Sequence, residues 1–263
     1  MVDKVLSKDG TAIAFERIGD GPPFILVVGA FNERSTGGPL AAYLAAHSTV
    51  FTYDRRGRGD SGDTAPYEVK REIEDLAALI DRAGGSAAVF GYSSGANLAL
   101  QAAACGLTIS KLALYDAPYV VGQSQSGQPV DHAGQLAELI AANRRGDAVE
   151  YFQTQLVGIP PAVVAQLRNA PFRPALEAMA HTLVYEATIL GDRSLPTRLA
   201  SQVTVATLAI AGGASPFMRA AAQALAECLP NCQARILEDV GHDIEPSVLG
   251  PVLHRFLTQP RSS

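Results

Sequence analysis

The sequence has few cysteines, no excess of basic residues and no long apolar run. Three of its 263 residues are cysteines, and they lie in no arrangement typical of a disulfide framework or a zinc site, so we expect reduced thiols and no metal ion. The net charge of −5 disfavours a nucleic-acid partner, which requires surplus lysine and arginine. No apolar run reaches the ~18 residues of a membrane helix. The start of the chain has no charged-then-apolar leader, so we expect a cytoplasmic protein without a membrane partner.

What the chain does have is an alternation of strand and helix patterns, with 48% hydrophobic and 18% charged residues, as in ordinary globular domains. Residues 2–7 and 11–17 alternate polar and apolar side chains around a turn, which predicts a hairpin. Residues 24–28 form a continuous apolar run, typical of a strand buried on both faces. Further strands are predicted at 49–53, 87–90 and 111–115, separated by helices at 39–46, 69–83 and 94–105. The alternation predicts a mainly parallel sheet flanked by helices.

The pattern changes between residues 119 and 202, where we find helical stretches and prolines but no strand. The stretches cover residues 133–144, 147–157, 162–169 and 173–189. Strands and helices then alternate again at 204–211, 218–229, 234–237 and 247–257. We therefore predict a core domain formed by residues 1–118 and 203–263, with residues 119–202 inserted as a helical lid.

A candidate nucleophile lies in the sequence Gly91-Tyr92-Ser93-Ser94-Gly95, which fits the pattern G-x-S-x-G. A strand precedes this turn and a helix of small residues follows it, which is the setting in which a sharp turn exposes a serine hydroxyl. The amide of Ser94 then lies at a helix N-terminus, where it can bind a developing oxyanion. We predict that Ser93 is a nucleophile.

A serine hydroxyl needs a neighbouring imidazole to take its proton, and His242 is the candidate base. It follows the last strand by a short loop, at the same edge of the sheet as Ser93. The four other histidines lie at the opposite edge, in the closing helix or in the predicted lid.

These motifs together resemble the α/β-hydrolase superfamily, and most closely its bacterial lidded serine esterases, lactonases and perhydrolases. The resemblance extends over nearly the whole chain and is weakest in the lid. It rests on residues 24–30, on Asp54-Arg-Arg-Gly-Arg-Gly-Asp-Ser61, on residues 91–95 and on Gly241-His242. It implies an eight-stranded, mostly parallel sheet, with the helical lid inserted after the sixth strand. The arginines of the second motif lie among aspartates, and we expect a local ion-pair network there.

The sequence departs from the family at the acid of the catalytic triad. Relatives usually place an aspartate after the seventh strand, but this chain has no carboxylate between Ala206 and Glu227. Asp116 follows the sixth strand at the same sheet edge, as the acid does in some members of the superfamily. The order Ser93, Asp116, His242 is also the order that the fold requires. We therefore predict Asp116 as the acid, because Asp243 adjoins His242 and Asp239 fits a turn better.

The second departure is Val28-Gly29, where relatives have His-Gly. We expect a second oxyanion amide to survive this change, from Ala30 or, if the loop is shifted, from Phe31. Phe31, Tyr119 and Phe217 are candidate pocket residues, and they favour an uncharged, moderately apolar substrate. Arg34 is expected to be solvated.

The leading hypothesis is hydrolysis of a small to medium carboxylic ester or lactone through an acyl-enzyme on Ser93, without a cofactor, in a monomer or homodimer. Perhydrolysis, C–C bond hydrolysis and acyl transfer remain alternatives on the same fold. A homologue that binds a small molecule without turnover is a further alternative, because the usual acid is missing.

Overall fold

The central feature of the computed structural model, which describes residues 2–122, 130–238 and 240–259, is a single eight-stranded sheet. The strand order is β1-β2-β4-β3-β5-β6-β7-β8. Strand β2 pairs antiparallel with β1 and β4, and the remaining neighbours pair in parallel. The strands are β1 (Asp3–Leu6), β2 (Ala12–Ile18), β3 (Pro23–Val27), β4 (Thr49–Tyr53), β5 (Ala87–Tyr92), β6 (Ile109–Tyr115), β7 (Thr207–Gly212) and β8 (Cys232–Leu237).

The helices cover both faces of this sheet, so the central strands are buried and read as apolar runs. Helices α2, α3 and α10 pack on one face, and α1 and α11 pack on the other. The helices are α1 (Gly38–Leu44), α2 (Val69–Arg82), α3 (Ser94–Ala104), α4 (His132–Ala141), α5 (Arg145–Tyr151), α6 (Pro161–Gln166), α7 (Arg173–Ala178), α8 (Thr182–Leu190), α9 (Thr197–Ala200), α10 (Pro216–Cys228) and α11 (Pro246–Thr258). The predicted sheet, flanking helices and insertion point are confirmed.

Helices α4 to α9 lie between β6 and β7 and are called here the helical insertion (His132–Ala200). They have their own small apolar core, which includes Leu136, Val149 and Leu183. The loop after β3 packs against this core through Ala30 and Phe31. Residues 123–129 of the predicted lid lie outside the described residues.

The predicted helix at 173–189 is two helices, α7 and α8, and α9 has no counterpart in the prediction. The break occurs where the Thr182 hydroxyl donates to the carbonyl of Met179 at 2.8 Å. That carbonyl would accept the amide of Leu183 in a continuous helix, but this amide bonds to Ala180 instead. In addition, α5 continues into a π-helical turn, Phe152–Val157.

The described helices are all too short or too polar to cross a membrane. Cys105, Cys228 and Cys232 are free thiols.

Candidate active site

Ser93 lies on a strained turn between β5 and α3, with φ 55° and ψ −129°. Its amide donates to the carbonyl of Tyr115 at 2.9 Å, which joins the turn to the end of β6. A Cβ on Gly29 would lie 2.8 Å from Ser93 Cβ and 2.9 Å from the carbonyl oxygen of Tyr92. The glycine therefore lets the loop after β3 lie directly against the turn. Backbone strain of this kind is found at functional sites more often than elsewhere.

His242 and Asp116 form a direct contact, with 2.8 Å between His242 Nδ1 and Asp116 Oδ2. The side chain of Asp116 is 1% exposed, whereas that of His242 is 45% exposed. Asp116 also has a positive φ of 49°, which turns its side chain away from the path of the strand. The structure thus brings together two predicted residues that are 126 positions apart.

The second oxygen of Asp116 is bound by the end of β7. Gly212 donates its amide to Asp116 Oδ1 at 2.8 Å. This residue lies in the segment where relatives usually provide the acid, and here it supplies a backbone donor to an acid from the neighbouring strand. A partner on each oxygen therefore fixes the orientation of the carboxylate.

Two tyrosines position the loop that carries His242. The Tyr92 ring lies 5.0 Å from the imidazole between centroids. The Tyr115 hydroxyl lies 2.8 Å from the carbonyl oxygen of Gly241 and 3.1 Å from that of Asp243, so it bonds to the loop on both sides of the histidine. Burial, together with the nearby Asp116, raises the pKa of Tyr115, so its hydroxyl stays protonated and donates. Neither the strand pattern nor the G-x-S-x-G motif predicts that Tyr115 binds the loop around His242.

Ser93 is partly exposed, and its Oγ forms no hydrogen bond with His242 or with another described residue. A catalytic serine in a substrate-free site commonly lacks this bond until substrate binds. Because Nδ1 of His242 is engaged by Asp116, Nε2 is the nitrogen left to receive a proton. Asp243 contributes only its backbone carbonyl to the contacts described above, and Asp239 lies outside the described residues.

The predicted oxyanion amides differ in whether they already donate a hydrogen bond. The Ala30 amide donates to Ser94 Oγ at 3.0 Å. The next amide, that of Phe31, has no acceptor among the described residues, and Phe31 has a positive φ of 61°. The Ser94 amide is at the start of α3, where an N–H has no partner within the helix. Two free amides, of Phe31 and Ser94, are thus available beside the turn.

The three predicted pocket residues have different surroundings. Phe31 packs edge-to-face on Phe152 of the helical insertion, with 5.5 Å between ring centroids. Phe217 follows β7 and carries the guanidinium of Arg193 over its ring at 5.4 Å. Tyr119 is 3% exposed and lies in the main core. Tyr119 therefore contributes packing, while Phe31 and Phe217 border the helical insertion.

The arginine motif forms an ion-pair network, but its partners are distant in sequence rather than local. Arg55 binds Glu72 through two bonds of 2.6 and 2.8 Å, and Arg56 binds Asp75 through bonds of 2.8 and 2.7 Å. Burial alone would raise the pKa of Glu72, but the Arg55 guanidinium holds it below 4.5. Arg58 pairs with Glu186 of α8. Glu186 is the only charged residue of that apolar helix, and this is the one signal that sequence inspection could have used.

Arg34 is not solvated as predicted. It pairs with the fully buried Asp54 and lies 2.7 Å from Asp60, with a side chain that is 17% exposed. It therefore joins the loop after β3 to the loop after β4.

The other histidines do not reach the site. The His47 and His254 rings lie 4.3 Å apart between centroids at a tilt of 34°, and His132 bonds to Tyr151. His181 lies 3.8 Å from Asp63. A cavity of about 640 Å³ lies at the amino ends of β6, β7 and β8, and none of Ser93, Asp116 and His242 lines it. Within the residues that the structure describes, no three His, Cys, Asp or Glu side chains group as metal ligands do.

Known proteins share the sequence pattern and the fold of this chain. The sequence profile of the alpha/beta hydrolase family matches residues 24–249. The structure is similar to that of an alpha/beta hydrolase from Sphaerobacter thermophilus DSM 20745, with a TM-score of 0.91 and 53% identity over 97% of this chain and 100% of that one. It also resembles the esterase RhEst1 from Rhodococcus sp. ECU1013, with a TM-score of 0.71 and 20% identity over 98% and 99% of the two chains. The enol-lactonase from Burkholderia xenovorans LB400 has a TM-score of 0.69 and 23% identity over 98% and 100%.

Proposed function

Because the chain belongs to the alpha/beta hydrolase family, we propose that it hydrolyses carboxylic esters or lactones through an acyl-enzyme on Ser93. The observation that carries the proposal is the bond of 2.8 Å between His242 Nδ1 and Asp116 Oδ2, beside a serine on a strained strand–turn–helix. A buried acid, an imidazole and a partly exposed serine at one sheet edge are the parts that nucleophilic acyl transfer requires.

In this mechanism Ser93 Oγ attacks the carbonyl carbon of the substrate while its proton moves to His242 Nε2. Asp116 fixes the tautomer of the imidazole through Nδ1 and stabilises the imidazolium that forms. The tetrahedral intermediate collapses when the C–O bond to the leaving alcohol breaks, and His242 returns the proton to that alcohol. Water, deprotonated by His242, then attacks the acyl carbon. The ester bond to Ser93 Oγ breaks, His242 returns the proton to Oγ, and the acid is released.

The charge on the carbonyl oxygen is stabilised by backbone amides. Ser94 N–H is one donor, and the second comes from the loop at Ala30 and Phe31. In the substrate-free arrangement Phe31 N–H is the loop amide free to donate, since Ala30 N–H is bound to Ser94 Oγ. Removing one such donor costs about 10²–10³ in rate in other serine hydrolases.

The helical insertion serves as a lid over the carboxyl edge of the sheet. Its Phe152 packs on Phe31, and its Arg193 lies over the ring of Phe217. These rings favour a small to medium acyl or lactone substrate of mostly apolar character.

The test is turnover of p-nitrophenyl acetate and butyrate by the wild type and by Ser93→Ala. We expect turnover by the wild type and background rates for the variant. His242→Ala should behave like Ser93→Ala, whereas His254→Ala, at the other end of the sheet, should keep the wild-type rate. Equal rates in wild type and Ser93→Ala would overturn the proposal.

Labelling with a fluorophosphonate provides a second measurement. The label should appear on the peptide that contains Ser93 and should be absent from Ser93→Ala. Failure of folded wild type to take the label would favour a homologue that binds without turnover. An acyl-enzyme that transfers to peroxide or to an alcohol in preference to water would favour the perhydrolase or acyl-transferase alternatives.

A further inference from the structure

The loop after β3, residues 28–32, is called here the oxyanion loop, and two buried arginines bind its carbonyl groups. Arg55 Nη1 donates to the carbonyl of Val28 at 3.2 Å. Arg58 Nη1 donates to the carbonyl of Gly29 at 2.7 Å and to that of Asn32 at 3.2 Å. The carbonyls on both sides of the two loop amides are therefore fixed by guanidinium groups.

Both arginines are in turn bound by one carboxylate of the helical insertion. Glu186 Oε1 accepts from Arg55 Nη1 at 2.7 Å and also accepts from Arg58 Nη2. Glu186 is on α8 and is fully buried, as is Arg55, and Arg58 is 2% exposed. With Glu72 on the other side of Arg55, the cluster contains two positive and two negative side chains.

A second contact joins the same two parts of the molecule. Phe31, in the middle of the oxyanion loop, packs edge-to-face on Phe152 of the helical insertion at an angle of 89°. Ala30 also packs against the apolar core of the insertion. The inserted helices thus hold the loop in two ways. They bind its backbone through the arginines and its side chains through apolar packing.

From these contacts we propose that Glu186 is a positioning residue, which fixes the oxyanion loop through Arg55 and Arg58 and so makes the geometry of the oxyanion hole depend on α8. The inference rests on the proposed function, because it concerns stabilisation of the oxyanion formed at Ser93. An oxyanion donor acts only when it lies at about 2.7–3.1 Å from the developing charge, so a loop released from its arginines loses catalytic power before it loses substrate binding.

This role of Glu186 bears on the helical insertion. If Glu186 must stay bound for the oxyanion loop to keep its position, α8 stays docked on the core during turnover.

The main test variant is Arg58→Lys. It keeps a positive charge beside Glu186 but lacks the planar fork that binds two carbonyls and a carboxylate together. We expect kcat for p-nitrophenyl butyrate, counted per fluorophosphonate-reactive site, to fall about 10- to 100-fold, with KM changed less than about twofold. The double variant Arg58→Met/Glu186→Gln, which removes one charge of each sign and leaves Arg55 paired with Glu72, should show the same loss.

The matched control is Arg56→Lys. Arg56 is the neighbouring arginine of the same motif, is 1% exposed, and pairs with the buried Asp75 without contacting the oxyanion loop. It should lower the melting temperature to a degree similar to Arg58→Lys and leave kcat per reactive site unchanged.

A pair of inhibitors separates positioning from a general loss of structure. A trifluoromethyl ketone adds to the serine and forms an oxyanion, whereas the matching methyl ketone binds mainly as a ground-state analogue. We expect the Ki of the trifluoromethyl ketone to rise with the loss of kcat in Arg58→Lys, while the Ki of the methyl ketone stays constant.

Unchanged kcat and unchanged trifluoromethyl ketone affinity in both Arg58 variants, in an active wild type, would overturn this inference and leave the proposed function standing. An equal loss of kcat in Arg56→Lys would also overturn it, because the effect would then be one of stability. A wild type that neither turns over esters nor takes the label would overturn the proposed function, and this inference with it.

Discussion

Gly212 donates its amide to Asp116 Oδ1 at 2.8 Å, and this bond links the end of β7 to the carboxylate that contacts His242. Residue 212 ends β7, the strand after which relatives usually have the acid of the triad. In this chain the end of β7 supplies a backbone amide to the site, and the carboxylate follows β6. A carboxylate that follows β6 thus contacts the Nδ1 side of the imidazole.

Replacement of Asp116 by asparagine should nearly abolish activity. The amide cannot stabilise the imidazolium and can leave His242 in the wrong tautomer, which costs about 10⁴-fold in kcat in a comparable triad. Esterase kinetics on Asp116→Asn and on the neighbouring control Asp243→Asn measure this effect. A wild-type rate in Asp116→Asn would show that another group orients His242 and stabilises its imidazolium.

Gly212→Ala should damage the site although no polar group is removed. A Cβ at this position would overlap the carbonyl oxygen of Gly241 and would lie 2.8 Å from that of Val240. The strand end and the His242 loop must then separate, at a cost of about 1–3 kcal/mol in unfolding free energy. Thermal melts and kcat measure the change, with Gly241→Ala as the control, because a Cβ there meets no atom within 4 Å. Similar losses in both variants would contradict this explanation.

Tyr115→Phe should lower kcat by about fivefold, the factor equivalent to about 1 kcal/mol for one hydrogen bond. The hydroxyl is the group that holds Gly241 and Asp243 on either side of the base. Tyr53→Phe is the matched control. The buried Tyr53 hydroxyl has no hydrogen-bond partner among the described residues, so its removal should leave activity and stability close to wild type. If Tyr115→Phe matches wild type in kcat, the hydroxyl does not position the loop.

The stability of the protein should fall as the pH is lowered below about 6.5, in part because of His181. Burial holds the pKa of His181 below its ordinary value of 6.5, so between the two pKa values the unfolded chain binds a proton that the folded protein does not. The stabilisation is therefore complete above the unfolded pKa and is lost as the pH falls toward the folded pKa. His132, whose pKa is also lowered by burial, adds to the same trend.

The measurement is the melting temperature at pH 7.5 and at pH 5.5 for wild type and His181→Gln. The melting temperature should differ less between the two pH values in the variant than in the wild type. A smaller difference should remain, because His132 is still present. An unchanged difference would show that His181 does not contribute to the acid sensitivity.

The local motifs could be predicted from the sequence because their physics is local. An apolar strand, a turn of small residues and a helix predict the position of Ser93, and alternating elements predict that the residues after β5, β6 and β8 meet at one edge. The absence of a carboxylate after β7 directs attention to Asp116, and the structure places it within hydrogen-bond distance of His242.

Only the tertiary structure decided which charges meet. Glu186 lies 128 positions from Arg58 and 131 from Arg55, and Arg34 contacts Asp54 across 20 positions. Such pairs leave no periodic pattern in the sequence, because they depend on how α8 docks on α2, α3 and the loop after β4. The sequence by itself determined the sheet, the nucleophile turn and the base loop, since each follows from local pattern. The arrangement of the oxyanion loop depends on packing between distant segments, and for that reason it emerged only with the fold.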